Sequence, residues 1–471
     1  MKVCFPVVLG LAAGLAAAPM PAAAMDLTDA LIEAYSSNPT LLGQRAKLRS
    51  TDEEMPKALS GWRPTVTASG EVGPSVRQSN TPSTNTNFSQ RRDVVALDLT
   101  MVQPLFTGFR TVAATSEAEN TIRAERARLE AVEQTVLLRA ATSYVDVVRD
   151  QAVLDLNIGN EQVLDRQLEA IGDRFRVGEV TRTDVSQAEA RKARATANRV
   201  QAAGNLERSR AAFLNAVGVA VPGRLAPATA VPDLELTYDA VLKTALQSHP
   251  DVIAARYDEA AREDTIDGVR GELLPRLNLE ATAARDLQAS SEKSRLNTVE
   301  GFLVLTIPLY ESGSVRSRLR QAKQNAAQTR LRTDQVQRDS TERATQSWEA
   351  LQTARASIKA FQTQISSSEI ALEGVQRENS VGSRTVLDVL DAEQELLDAK
   401  VNMVRAQRDE LVAVFQLKLA VGALSARNLR LPVDYYDPNA HYDEVEGMWF
   451  STGASGETPD AGRKPAAGSN R

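Results

Sequence analysis

The sequence has few of the residues that build aromatic cores or reactive sites. Of its 471 residues one is cysteine, two are histidine and 4 % are aromatic. The cysteine, Cys4, falls in a segment that we expect to be removed, and a mature chain without thiols fits an oxidising compartment. His249 and His441 stand far apart. We find no metal-ligand spacing, nucleophile motif or phosphate-binding glycine loop. We therefore predict that the chain is not an enzyme and carries no cofactor or metal.

Long apolar runs are missing beyond the N-terminus. Met1-Lys2 precedes an apolar stretch that ends in Ala22-Ala23-Ala24, which predicts a secretory signal peptide over residues 1–24. After it, no run approaches the ~20 residues of a membrane helix. A mature chain that crosses a membrane must then do so with strands. The net charge of −6 is spread along the chain, which argues against nucleic acid as a partner.

The chain contains an internal repeat. The pattern V-G-x-x-T-x-x-D-V-x-x-A-E begins at Val177 and again at Val381, an offset of 381 − 177 = 204 residues. Asn38-Pro39 matches His249-Pro250 at an offset of 250 − 39 = 211. The first repeat therefore carries 211 − 204 = 7 extra residues between these prolines and its tip. We place them in a loop within residues 73–90, a segment rich in Ser, Thr, Asn and Pro. The predicted units are repeat one at 25–222, repeat two at 223–430, and a C-terminal segment with a disordered tail at 431–471.

Each repeat reads as short helices, two strands, a long helix, a tip and a returning helix. Asn38 and His249 are expected to cap helices that begin at the following prolines, and the first of these helices is expected to run to about Leu59. Proline is almost absent from residues 112–176 and 315–380, which favours long helices there. Residues alternate between apolar and polar at about 64–73, 92–106, 276–285 and 297–310, which is typical of strands with one polar face. The long helices, of ~65 residues each, would reach about 100 Å at 1.5 Å per residue. Leu390, Leu397, Val404 and Leu411 recur every seven residues and predict a coiled-coil seam.

The tips are predicted at residues 177–183 and 381–387. Gly382 ends one helix because glycine accepts the left-handed conformation without a Cβ clash. Ser383 or Thr385 then offers an oxygen that caps the next helix. Asp388 and Asp391 are three residues apart and share a helix face. By itself that pattern also fits an ordinary solvated face.

Four strands are too few to close a barrel, for which about eight is the practical minimum. Lipid does not tolerate open sheet edges, because unpaired backbone groups there cost several kcal/mol each. Either the strands form a soluble sheet, or several chains pool them. Two chains would give eight strands and three would give twelve. The sequence does not choose among these arrangements.

The double hairpin, the P-L-[FY] ends of the second strands and V-G-x-R-T-x-x-D-V-x-D-A from Val381 resemble the TolC family of outer-membrane channel proteins, over about Leu27 to Leu431. The resemblance implies an α+β membrane protein: a homotrimer with a long α-helical barrel in the periplasm and a transmembrane β-barrel built from four strands per chain. It implies an exit duct for tripartite efflux pumps or type I secretion. The partners would be a periplasmic adaptor, an inner-membrane pump or ABC transporter, and outer-membrane lipid.

The resemblance also implies roles for residues at the tips. Asn379 stands where the family pattern has Tyr, Ser383 where it has Thr, and Glu179 where it often has an apolar residue, so the Asp184 link and adaptor preference are expected to differ. The alternative is a soluble periplasmic coiled-coil adaptor or scaffold, which needs one hairpin and not two. The implied adaptor contacts are Val177, Gly178, Glu179, Val381, Gly382 and Ser383, and the implied entrance gate is Asp184, Asn379, Arg384, Asp388 and Asp391.

Overall fold

The computed structural model describes residues 25–81, 86–221, 223–227, 237–288, 291 and 293–451. The predicted signal peptide and the tail beyond residue 451 lie outside the described residues. The helices are α1 (Leu27–Ser37), α2 (Pro39–Asp52), α3 (Glu54–Leu59), α4 (Arg110–Arg176), α5 (Arg182–Val217), α6 (Tyr238–Ser248), α7 (Pro250–Gly271), α8 (Ser314–Ser380), α9 (Val386–Ala420) and α10 (Ala440–Val445). The strands are β1 (Thr65–Thr81), β2 (Thr86–Phe106), β3 (Arg276–Leu287) and β4 (Arg295–Thr306).

The helices that precede each strand pair begin as predicted. The side chain of Asn38 accepts a hydrogen bond from the Thr40 amide at 2.9 Å, with Pro39 at the first helical position. In the second repeat the Nδ1 atom of His249 accepts from the Asp251 amide at 3.2 Å, so this histidine is a helix cap. The helix expected to continue from Pro39 to Leu59 is instead divided at Glu53. Pro56 explains the break, because its ring conflicts with the carbonyl four residues earlier.

The four strands form one antiparallel sheet in the order β1-β2-β3-β4. Most of the segment within which the loop was predicted, residues 73–90, is strand, because β1 and β2 remain paired as far as Thr81 opposite Thr86, and residues 82–85 lie outside the described residues. Antiparallel pairing satisfies backbone groups whatever the side chains are, so polar composition alone does not end a strand. Pro74 is compatible with β1, which is an edge strand of the described sheet. Strand β4 ends at Thr306, four residues earlier than predicted.

The register confirms the predicted alternation across all four strands. Leu99 lies opposite both Ala68 and Ala283, and Ala283 lies opposite Val299. Residues that oppose each other point to the same side of a sheet. These residues therefore define one apolar face of the sheet. On the other face, Thr100 lies opposite Thr67 and Thr282, and Thr282 lies opposite Glu300.

The chain divides into two compact units, which differ from the predicted boundaries between repeats. Unit 1 comprises Met1–Ala34, Ala140–Ala230 and Ala360–Arg408. It contains both tips and a core in which Leu164, Ala195 and Leu390 pack together. Tyr144 is fully buried in it and donates a hydrogen bond to the carbonyl of Ala226 at 2.8 Å. Burial raises the pKa of Tyr144 to about 12, which keeps this buried donor protonated.

Unit 2 comprises Tyr35–Arg139, Val231–Lys359 and Asp409–Arg471, and it contains the sheet. One of its apolar clusters includes Val241, Leu351 and Leu417, with Trp348 packed against it. The C-terminal segment is held in the same unit by Tyr436, whose amide donates to the Tyr35 hydroxyl at 3.0 Å. Within the described residues, no helix combines the length and apolarity that a membrane span requires.

Candidate functional site

The two hairpin tips are built by the same backbone device. Gly178 and Gly382 follow the ends of α4 and α8 with φ of 83° and 79°. The Glu179 amide donates to the Arg174 carbonyl at 2.9 Å, and the Ser383 amide donates to the Glu378 carbonyl at 3.0 Å. This is the hydrogen-bond pattern of a Schellman cap. A Cβ at either glycine would meet no described atom within 4 Å, so glycine is needed there for its conformation and not for space.

A matching pair of capping boxes starts the helices after the tips. Thr385 donates from its amide to Asp388 at 2.9 Å, and the Asp388 amide returns a bond to the Thr385 hydroxyl at 3.3 Å. Thr181 and Asp184 make the same two bonds at the first tip, also at 2.9 and 3.3 Å. Of the two predicted caps, Thr385 is therefore the helix N-cap. Ser383 instead donates its hydroxyl to the carbonyl of Glu378 at 2.9 Å and closes the end of α8.

The second tip is tied to itself by polar side chains. Arg384 donates from Nε to Glu378 at 2.9 Å, and Asn379 donates from Nδ2 to the carbonyl of Arg384 at 2.9 Å. The hydrogen bond to Glu378 raises the pKa of Arg384. The amide and hydroxyl of Thr385, together with the nearby charge of Arg384, lower the pKa of Asp388. This tip thus carries fixed charges of both signs in a short segment.

The two aspartates predicted to share a role have different partners. Asp388 completes the capping box, whereas Asp391 accepts a hydrogen bond from the guanidinium of Arg191 on α5. The Arg191–Asp391 ion pair therefore joins α5 to α9 within the first three turns of the two returning helices. Asp184 is likewise engaged within its own tip. Their predicted action at a shared entrance stays a prediction.

Sequence reasoning missed a buried carboxylate close to the tips. Glu393 on α9 is only 8 % exposed and accepts a hydrogen bond from the side-chain amide of Gln167 on α4. Burial raises the pKa of Glu393, and hydrogen bonds from Gln167 and Gln376 offset part of that rise. Its repeat counterpart, at 393 − 204 = 189, is Glu189, which is exposed. The repeated Ala-Glu pair was visible in the sequence, but it gave no sign that only one glutamate is buried.

The outermost residues of the two tips differ in chemistry. Val177 and Val381 are 71 % and 79 % exposed, so each tip presents one apolar side chain. Next to it the first tip carries Glu179, where the second carries Ser383, at 383 − 204 = 179. Both of these residues are exposed. The two tips therefore share a shape and differ in charge.

Comparison with known proteins gives the family. The model of the outer membrane efflux protein family matches residues 30–219 and 241–423, which together are most of the chain and include both tips. Outer membrane efflux protein BepC of Brucella suis is 34 % identical over 92 % of this chain and 92 % of its own length. Outer membrane protein TolC of Escherichia coli is 25 % identical over 91 % of this chain and 88 % of its own.

A solved structure agrees on the fold. The outer membrane protein VceC from Vibrio cholerae superposes with a TM-score of 0.74 at 19 % identity, covering 84 % of this chain and 96 % of that one. At this identity the likeness speaks for the fold alone. The chain belongs to the outer membrane efflux protein family, as the tip and strand motifs predicted, and it is an outer-membrane protein of the TolC type. The adaptor-like alternative is not favoured, and these relatives are named as outer-membrane proteins and not as enzymes.

Proposed function

We propose that three copies of this chain form an export duct of the outer membrane. The observation that carries the proposal is the sheet, which has one apolar face, one polar face and two unpaired edges among the described strands. Three sheets joined edge to edge supply twelve strands, which satisfies every edge that lipid would otherwise penalise. The apolar face then meets lipid, and the polar face lines a water-filled lumen.

We assign the contact with a partner protein to the tips. Val177 and Val381 are exposed apolar side chains on rigid turns, which suits contact with a periplasmic adaptor protein. Gly178, Glu179, Gly382 and Ser383 shape and charge the same contact. Asp184, Asn379, Arg384, Asp388 and Asp391 lie within or just after the tips, where three copies would surround the duct's entrance. Through the adaptor, the duct would receive cargo from an inner-membrane pump or ABC transporter.

The test of assembly is the mass of the detergent-solubilised particle, measured by light scattering with the detergent contribution subtracted. We expect three chains per particle, because the four strands of a single chain leave lipid-exposed edges and the resemblance to the TolC family implies a barrel of twelve strands. The same preparation should open ion-conducting channels in planar bilayers. A stable monomer that conducts no ions would contradict the proposal.

The class of exported cargo distinguishes an efflux duct from a duct for type I protein secretion. The family description favours small-molecule efflux, and type I protein secretion is the second possibility. In a strain that lacks the chain, crosslinking through a cysteine placed at Val381 should capture an adaptor on re-expression. Loss of drug resistance assigns efflux, and loss of a secreted protein with resistance intact assigns secretion. If neither phenotype changes and no adaptor is captured, the export proposal fails.

A further inference from the structure

Aromatic residues are scarce in this chain, yet several stand at one end of its sheet. We call this the basal end, where β1 begins at Thr65, β2 ends at Phe106, β3 begins at Arg276 and β4 ends at Thr306. Aromatic residues within a few positions of it, or held against it, include Trp62, Phe106, Phe109, Trp449 and Phe450. Two of the chain's three tryptophans are among them.

A change of register turns Phe106 to the apolar face. The pairing of β2 with β3 shifts between Pro104 and Phe106, so Phe106 lies opposite Leu277, which in turn lies opposite Leu305. Without the shift, alternation along β2 would place residue 106 on the polar face. The ring of Phe106 then meets that of Phe109 edge to face, with centroids 5.3 Å apart. The bulge thus adds aromatic surface to the apolar face at its basal end.

Phe109 occupies a backbone position that usually belongs to glycine. Its φ is 63°, and its repeat counterpart at 109 + 204 = 313 is Gly313, with φ of 79°. A non-glycine residue in this conformation is strained by about 1–2 kcal/mol. One residue earlier the repeats are reversed, because the first has Gly108 where the second has Ser312, with φ of 52°. The first repeat therefore places an exposed phenylalanine at this turn where the second repeat has a glycine.

The C-terminal segment reaches the same end through Arg63. Arg63 stands two residues before β1 and donates from Nη1 to the carbonyl of Met448 at 2.6 Å. Its guanidinium also lies 4.7 Å from the ring centroid of Trp449, a cation–π contact. The rings of Trp449 and Phe450 are 6.2 Å apart, and these residues are 57 % and 93 % exposed. Arg63 therefore holds Trp449 at the basal end, and the ring of Phe450 lies beside that of Trp449.

Trp62 connects this contact to the apolar side of the sheet. Gln103 lies opposite Leu279, which is opposite Leu303, so Gln103 belongs to the apolar face. Its side-chain amide donates to the carbonyl of Trp62 at 2.8 Å. Trp62 directly precedes Arg63 in the chain. The backbone next to the arginine that holds Trp449 is therefore bonded to a residue of the apolar face.

We propose that the C-terminal residues Trp449 and Phe450 are an interfacial anchor that enters the phospholipid headgroup region at the basal edge of the membrane. Tryptophan suits this zone because its ring is apolar while its N–H still finds polar partners. Arg63, which holds them, is a cation suited to the phosphate-rich layer. The anchor would complete, from the C-terminus, an aromatic girdle of the kind that borders membrane strands. The proposal rests on the proposed function, because it takes the apolar face as the lipid face.

The connection of the anchor to the apolar face indicates that lipid contacts the rings of Trp449 and Phe450. Arg63 holds Trp449 next to Trp62, whose carbonyl is bonded by Gln103 of the apolar face. Phe450 is almost wholly exposed, whereas a ring packed on its own chain would be covered. A neighbouring chain in the trimer is the competing occupant, and the experiment below separates the two.

The test measures whether lipid reaches Trp449. Substituting Trp62→Phe and Trp348→Phe leaves Trp449 as the single tryptophan. The full-length trimer is reconstituted in phosphatidylcholine vesicles whose acyl chains carry bromine either near the headgroup or near the chain end. We expect a loss of Trp449 fluorescence that is larger with the bromine near the headgroup. No loss with either lipid, together with protection from aqueous iodide, would place the ring against protein and overturn the proposal.

Further variants distinguish failure of the proposed anchor from failure of the proposed function. Leu303→Trp, made in a background with Trp62, Trp348 and Trp449 all changed to Phe, reports on the apolar face of β4. If Leu303→Trp is quenched and Trp449 is not, the anchor fails while the proposed function stands. If Leu303→Trp is not quenched either, the proposed function fails as well. Arg63→Ala should reduce quenching of Trp449, and Arg338→Ala, which removes an exposed arginine from α8, should not.

Discussion

At the scale of single residues, Glu393 is the least expected group near the tips, since a carboxylate is held away from water beside two glutamines. Its pKa is raised above the ordinary value of 4.5, so the folded chain binds this proton more tightly than the unfolded chain does. The stability that protonated Glu393 contributes is therefore present below pH 4.5 and is lost as the pH rises through the raised pKa. At neutral pH the buried charge works against the fold.

Glu393→Gln should accordingly raise the midpoint of thermal unfolding at neutral pH, because it removes a buried charge and keeps an acceptor for Gln167. Near and below pH 4.5 the gain should vanish. Circular dichroism of the helical signal at the two pH values measures both midpoints. Glu189→Gln is the matched control, since Glu189 holds the same repeat position on the surface. An equal gain at both pH values, or the same gain from Glu189→Gln, would refute the explanation.

Residue-level predictions succeeded where the cause is local to the chain. Gly178 and Gly382 end their helices because no other residue adopts that backbone so cheaply, and this follows from sequence alone. Asp184 and Asp388 show the limit, because Thr-x-x-Asp is itself a capping pattern and the carboxylates were assigned only to the entrance. Arg191 with Asp391 could not be foreseen, since the sequence does not set the register between two separate helices.

At the scale of elements, the strands and long helices followed from period and proline content. Most of residues 73–90, where a loop was predicted, is strand, because turn-forming residues do not end a ladder that a partner strand continues. The division of the helix after Glu53 was also missed, although Pro56 carried the information. The loop was predicted from composition alone and the undivided helix from periodicity alone. Neither prediction considered which backbone hydrogen bonds the segment could form.

The tip turn gives the element-scale prediction. Gly382→Val should weaken adaptor crosslinking and drug efflux while trimer assembly stays intact, because a β-branched residue at positive φ is strained by about 1–2 kcal/mol or more. Gly382→Asn is the control, since asparagine also adopts this conformation at helix ends. Open space around the glycine means that side-chain bulk alone is not the cause. Normal efflux in the valine variant, or equal damage from both, would remove the turn from the contact.

At the scale of the whole assembly, each charge of the second tip would occur three times around the entrance of the proposed trimer. Asp388 and Asp391 from three chains would place six carboxylates around one mouth, and such a ring concentrates cations. The structure changes how this is best tested, because Asp388 also accepts a hydrogen bond that completes the capping box of α9. Replacing it by Ala removes this hydrogen bond along with the charge. Asparagine keeps the acceptor and removes only the charge.

Asp388→Asn with Asp391→Asn should therefore lower cation preference in planar bilayers, measured as the shift of reversal potential across a salt gradient. Asp398→Asn, which removes an exposed charge of the same sign further along α9, should leave the cation preference as it was.

Arg384→Ser should raise single-channel conductance, because it frees the tip from the bond between Arg384 and Glu378. Glu378→Gln should then do the same, since it weakens the same ion pair from the other side. Unchanged conductance in Arg384→Ser would mean that Arg384 does not hold the entrance. A rise in Arg384→Ser alone would mean that it acts through a neighbouring chain and not through Glu378.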